Sequence, residues 1–128
     1  MKPNFSKYRA KKTEVDGIVF DSKKEAKRYE ELRALEYDGK IRELQLQVKY
    51  VLIPAQREPD RIGARSGVIK GRVIEKECSY IADFTYYDED GQFHVEDVKG
   101  MREGAAYSLF KVKKKMMLYF FGIRVEEV

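Results

Sequence analysis

A single cysteine rules out an internal disulfide, and one cysteine with one histidine cannot supply a zinc cage from this chain alone. Long apolar runs are missing too: the longest, Met116 to Ile123, covers eight residues. A membrane span needs about 20. The first twelve residues are basic and polar and do not read as a secretory signal. These absences predict a soluble, cytoplasmic domain of a reducing compartment that makes no contact with a membrane. There is no glycine-rich phosphate loop, which leaves nucleotide-triphosphate enzymes without support. There is no nucleophile elbow and no second histidine, so Ser-His-Asp and Cys-His hydrolases are equally unsupported. The chain also lacks internal repeats and low-complexity tracts.

What is present fits one domain of 128 residues, with 43% hydrophobic residues and enough Tyr and Phe to close a core. Charged residues reach 38%, against about 25% in an ordinary globular chain. The net charge of +4 conceals a segregation. Residues 1–28 and 99–115 each carry +5 and residues 57–76 carry +3, while residues 77–98 hold seven acids and no Lys or Arg. Basic segments around a small acidic centre suit a polyanion held beside a divalent-cation site. Salt bridges between the segments are the plainer alternative.

Along the chain, Asp16-Gly17 between apolar residues predicts a tight turn within an N-terminal basic arm over 1–21. A helix is expected from Ser22 to about Tyr37, with Gly39 as its stop. Gln47 to Ile53 reads as a strand, and about 55–72 as a mobile basic connection. Val73 to Tyr87 reads as a strand with Cys78, Tyr80, Ala82, Phe84 and Tyr86 on one face. A hairpin at Asp88–Gly91 leads to a return strand over Phe93–Lys99. A second helix is expected over Gly104–Phe121 and a last strand over Ile123–Val128. The order α-β-β-β-α-β predicts an α/β (α+β) domain over 22–128, with a mixed central sheet flanked by two helices.

Four residues look chemical. Strand alternation puts Asp97 and Lys99 on one face of the return strand, and Asp83 lies inside the apolar run of the strand paired with it. Asp is disfavoured in such strands. An edge strand with two solvated carboxylates is the structural alternative. Glu25 stands three residues after Ser22, the spacing of a capping box. It also falls in the middle of the helix's apolar stripe with Tyr29 and Leu32, where an unpartnered carboxylate is costly. A cap and a ligand are both open readings. In the second helix Leu109, Phe110, Met116, Met117 and Phe120 predict an apolar stripe, with Lys113 at its centre. Lys113 either snorkels past the core or points at a bound phosphate, and Lys111, Lys114 and Lys115 lie on the other side. His94 reads as a surface or hydrogen-bonding histidine and Cys78 as a core thiol.

Glu25 in a first helix, Asp83 in one strand and Asp97-x-Lys99 in the next resemble the PD-(D/E)xK nuclease superfamily. The blocks Val15–Ile18 with Phe20–Ala26, Tyr80–Phe84 and Val95–Gly100 look, more closely, like a phage family that carries only an unknown-function label. That family is similar to Holliday-junction resolvases and transposon-end nucleases. Ala82 replaces the Pro of the motif and Asp97 the commoner Glu. Alternation selects Asp97 over Glu96, because Asp97 shares a face with Lys99. The resemblance implies a restriction-endonuclease-like core and metal-dependent hydrolysis of DNA, with branched or junction DNA as candidate substrate. Asp83, Asp97 and Glu25 would hold Mg²⁺ or Mn²⁺ and Lys99 would assist at the phosphate. Arg9, Lys11, Lys12, Tyr107, Lys111, Lys113, Lys114 and Lys115 would hold DNA. A homodimer in a host cytoplasm is compatible with this. The rival reading is a non-catalytic nucleic-acid binder, or a protein that blocks a host factor, on the same fold.

Overall fold

A computed structural model describes residues 12–128; Arg9 and Lys11 lie outside them. Strands β1 (Thr13–Val15) and β2 (Ile18–Phe20) pair antiparallel around Asp16 and Gly17. Both turn residues have positive φ, 53° and 76°, the backbone that Asp-Gly favours in a two-residue hairpin. Helix α1 (Lys23–Tyr37) starts at Ser22, whose Oγ accepts from the Glu25 N–H at 3.1 Å. It ends at Asp38 and Gly39, where φ of 76° turns the chain back.

The sheet follows. Strand β3 (Ile41–Ile53) is longer than its sequence predicts. Its first half is polar and carries a register shift between Arg42 and Gln45, which hides the alternation. A ribbon then leaves the sheet: β4 (Gln56–Arg57) pairs with β7 (Val73–Glu75), and β5 (Arg61–Ile62) with β6 (Val68–Ile69). The expected connection over 55–72 is thus paired, in rungs too short to show a period. The single strand expected over Val73–Tyr87 is two, β7 and β8 (Cys78–Asp88). The chain continues through β9 (Phe93–Asp97), α2 (Ala105–Phe121) and β10 (Val125–Glu127). Sheet order is β10-β9-β8-β3, antiparallel except for the β9/β10 pair, which α2 joins as a crossover. The fold is α+β, with two helices and a mixed central sheet.

Two cores share this sheet. Ala26, Tyr29 and Leu32 of α1 pack with Phe20, Ile41, Phe84 and Tyr86. Phe110 and Met117 of α2 pack with Leu52, Tyr80, Ala82, Val95 and Val125, and half-buried Cys78 adjoins them. The apolar stripe expected along β8 is therefore divided, and the division falls at Asp83. Gln47 stands opposite, between the pairs Leu46–Phe84 and Val48–Ala82, with φ of 52°. A non-glycine residue held there costs on the order of 1–3 kcal/mol and persists only where its surroundings hold it.

Candidate functional site

The divide between the cores is where the chemical residues meet. Asp97 ends β9 and is buried. Its Oδ2 accepts from the Tyr80 hydroxyl at 2.7 Å, and its Oδ1 lies 2.9 Å from the Lys99 ammonium. That ammonium also sits 3.6 Å from the centre of the Phe110 ring, a cation–π contact that fixes its direction. Burial, then the hydrogen bond to Asp97, drives the Tyr80 hydroxyl well above its usual range, so it stays a donor. The Lys24 ammonium donates to the Lys99 carbonyl.

Asp83 faces the same centre from β8. Its Oδ2 accepts from the Val98 N–H at 2.8 Å and its Oδ1 from Gln47 Nε2 at 3.2 Å. Burial raises its pKa, the Val98 N–H works against that, and the charge of Asp97 adds to the rise. The same Gln47 Nε2 donates to Glu25 Oε1 at 3.1 Å. Glu25 is only 7% exposed. Its pKa is pushed up to about 7, first by burial, then by the charges of Asp83 and Asp21. Ser22 Oγ takes the Glu25 backbone N–H, so the cap is in place, and the Glu25 carboxylate is turned away from it, toward Gln47.

Glu96 belongs elsewhere. It is 1% exposed, and both its oxygens are taken by Arg28, at 2.8 and 2.6 Å, with the Tyr86 hydroxyl as a further donor. This bidentate pair ties α1 to β9. His94 bridges Asp88 and Glu126 at 2.7 and 2.8 Å and stacks on Tyr86, a hydrogen-bonding role.

The expected DNA contacts divide. Lys12 is exposed before β1. Tyr107 and Lys114 both donate to Glu127, at 2.7 and 2.8 Å, so neither is free. Lys111 lies 5.9 Å from the Tyr107 ring centre. Lys113 is half-buried, one turn from Phe110 and Met117, and Lys115 is exposed. Lys111, Lys114, Lys115 and Arg124 line a groove of about 490 Å³ between α2 and β10. The apolar stripe expected on α2 needs correcting. Phe110 and Met117 are its buried residues, whereas Leu109 and Phe120 are 54% and 50% exposed. The helix is apolar on two sides, so spacing alone does not select the inner one.

Sequence reading missed Gln47, Tyr80, Phe110 and Lys24 as members of this centre. Tyr80 and Phe110 read as ordinary core aromatics. Gln47 carries only the weak signal of a polar residue opposite an in-strand aspartate. Among the described residues, no three His, Cys, Asp or Glu side chains converge as ready-made metal ligands; Glu25 and Asp83 share the Gln47 amide as donor.

A family model described as "Protein of unknown function (DUF1064)" matches residues 5–126. The chain belongs to the DUF1064 family. No curated protein and no solved structure matches it. In this DUF1064 protein the matched stretch contains Glu25, Gln47, Asp83, Asp97 and Lys99, together with the arm between β3 and β8.

Proposed function

We propose that this DUF1064 protein is a Mg²⁺- or Mn²⁺-dependent nuclease of the PD-(D/E)xK kind that hydrolyses DNA phosphodiester bonds. One observation carries the reading. Asp83 of β8, Asp97 at the end of β9 and Lys99 two residues beyond it face one centre, and Glu25 of α1 meets Asp83 directly and through the shared Gln47 amide. The donor set fits a hard divalent cation: three carboxylates, two of them raised in pKa by burial and by neighbouring acids. Asp83, Asp97 and Glu25 would hold the ion. Bound there, it would polarise the scissile phosphate and acidify a water.

The protein's own groups do the rest. Tyr80 holds Asp97 in one orientation through Oδ2. Lys99, steered by Asp97 and Phe110, presents its ammonium to the attacking water or to the charge growing on the phosphate. Lys111, Lys113, Lys115 and Arg124 on and beside α2 supply positive charge for a nucleic-acid backbone, and so do Arg61, Arg65 and Lys70 on the arm.

The test is a cleavage panel over linear, branched and single-stranded DNA, and RNA, with Mg²⁺, Mn²⁺ or EDTA. Metal-dependent cleavage of DNA is expected, and Asp97→Ala should abolish it while DNA binding persists. DNA binding without cleavage in any metal would favour the non-catalytic reading, and full cleavage by Asp97→Ala would exclude Asp97 as a ligand.

A further inference from the structure

Gln47, exposed on β3, is the one neutral side chain that reaches two acids of the centre, Glu25 and Asp83, which also touch each other. Its single amide nitrogen donates to Glu25 Oε1 at 3.1 Å and to Asp83 Oδ1 at 3.2 Å, which uses both of its hydrogens. Among the described residues nothing donates to its Oε1. The backbone that delivers this side chain is in the left-handed region, φ 52°, inside a strand. Neither neighbour needs that backbone for pairing, since Leu46 and Val48 stay in register with Phe84 and Ala82. The left-handed residue and the doubly bonded amide coincide, at the point where β3 passes from one core to the other.

A primary amide between two carboxylate oxygens occupies the place of a cation, with its partial positive charge on the N–H groups. Turning the amide over exchanges Nε2 for Oε1 with almost no change in shape. The donor shared by two carboxylates then becomes a hard oxygen acceptor pointing at the same place. We propose that Gln47 is a ligand of the divalent cation, joining Glu25, Asp83 and Asp97 through Oε1 when the ion binds. Without the ion, its N–H groups hold Glu25 and Asp83 in position. The inference rests on the cation-binding reading of the centre and adds a neutral donor to it.

Calorimetry and melting temperature with Mn²⁺, in the absence of nucleic acid, test this on the full chain. Gln47→Gly removes the amide and suits the positive φ, so the variant should fold. It is expected to bind Mn²⁺ at least tenfold more weakly than the wild type. If Gln47 only donates to the acids, the ion has to push it aside, and Gln47→Gly will bind Mn²⁺ as tightly or more tightly; that result overturns the proposal. Gln47→Glu supplies a charged oxygen at the same place. It should melt lower than wild type in EDTA, because it adds a fourth acid, and bind Mn²⁺ more tightly. Equal or weaker binding by Gln47→Glu would also overturn it. These outcomes concern Gln47 alone, whereas a wild-type chain that shows no Mn²⁺ binding removes the cation reading and this ligand together.

Discussion

Glu25 shows how far one residue can be read before its surroundings are known. Its place on the apolar stripe of α1 was visible in the spacing, and so was the Ser22 cap. The partner of its carboxylate was not, because that partner depends on a left-handed φ at Gln47 that no pattern of residue types encodes. Similarly, alternation separated Asp97 from Glu96, but nothing in sequence announced that Arg28 would neutralise Glu96. The raised pKa of Glu25 has a measurable sign. In the folded chain it holds its proton up to about pH 7, against an ordinary value of 4.5. Stability should therefore fall as pH rises from about 4.5 to 7 and level off above, because the unfolded chain ionises first. Glu25→Gln should flatten that slope and raise stability near pH 8 by about 1–3 kcal/mol, as melting in EDTA across pH will reveal. The same variant should lose tenfold or more of its single-turnover cleavage rate, about 1.4 kcal/mol. Near wild-type cleavage would exclude Glu25 as a ligand.

Among the elements, the helices and the β8–β9 hairpin were legible, since each runs long enough to display its period. The arm between β3 and β8 was not. Its rungs are two or three residues long, and they are aligned by interactions that a hydropathy pattern does not register. Gly71 is the clearest of these. A Cβ there would lie 1.6 Å from the Glu58 carbonyl oxygen. Gly71 N–H donates to Asp60 at 2.8 Å, and its carbonyl accepts from Arg57 at 3.0 Å. Beyond this joint Arg61, Arg65 and Lys70 are exposed beside Ile62, Val68 and Ile69. A two-stranded ribbon of this kind fits the major groove of a duplex. Replacing the three cations with Ala should weaken duplex binding and reduce the log–log salt slope by about 0.9 for each phosphate no longer neutralised. Mn²⁺ binding, measured on the same preparation, should not change. An unaltered salt slope would take the arm out of the DNA interface.

At the scale of the whole molecule, two cores in so small a chain invite the expectation of two separate meltings. Strand β8 argues against it, because Tyr80 and Ala82 belong to one core and Phe84 and Tyr86 to the other. Neither core can come apart without fraying the strand that completes its neighbour, so the chain should unfold as a single cooperative unit. Met117, fully buried against the sheet on the α2 side, is the place to see this. Met117→Ala should cost about 2–5 kcal/mol through the cavity it leaves. Hydrogen exchange should register that loss not only around α2 but equally at the amides of α1 and of Ile41 and Leu46 in β3, which belong to the other core. Protection that collapses in α2 alone would mean that the molecule is two foldons joined by a strand, each with its own stability. If the loss is shared, every substitution that loosens the α2 side also loosens the grip on Glu25, and selection on the stability of one half acts on the geometry held by the other.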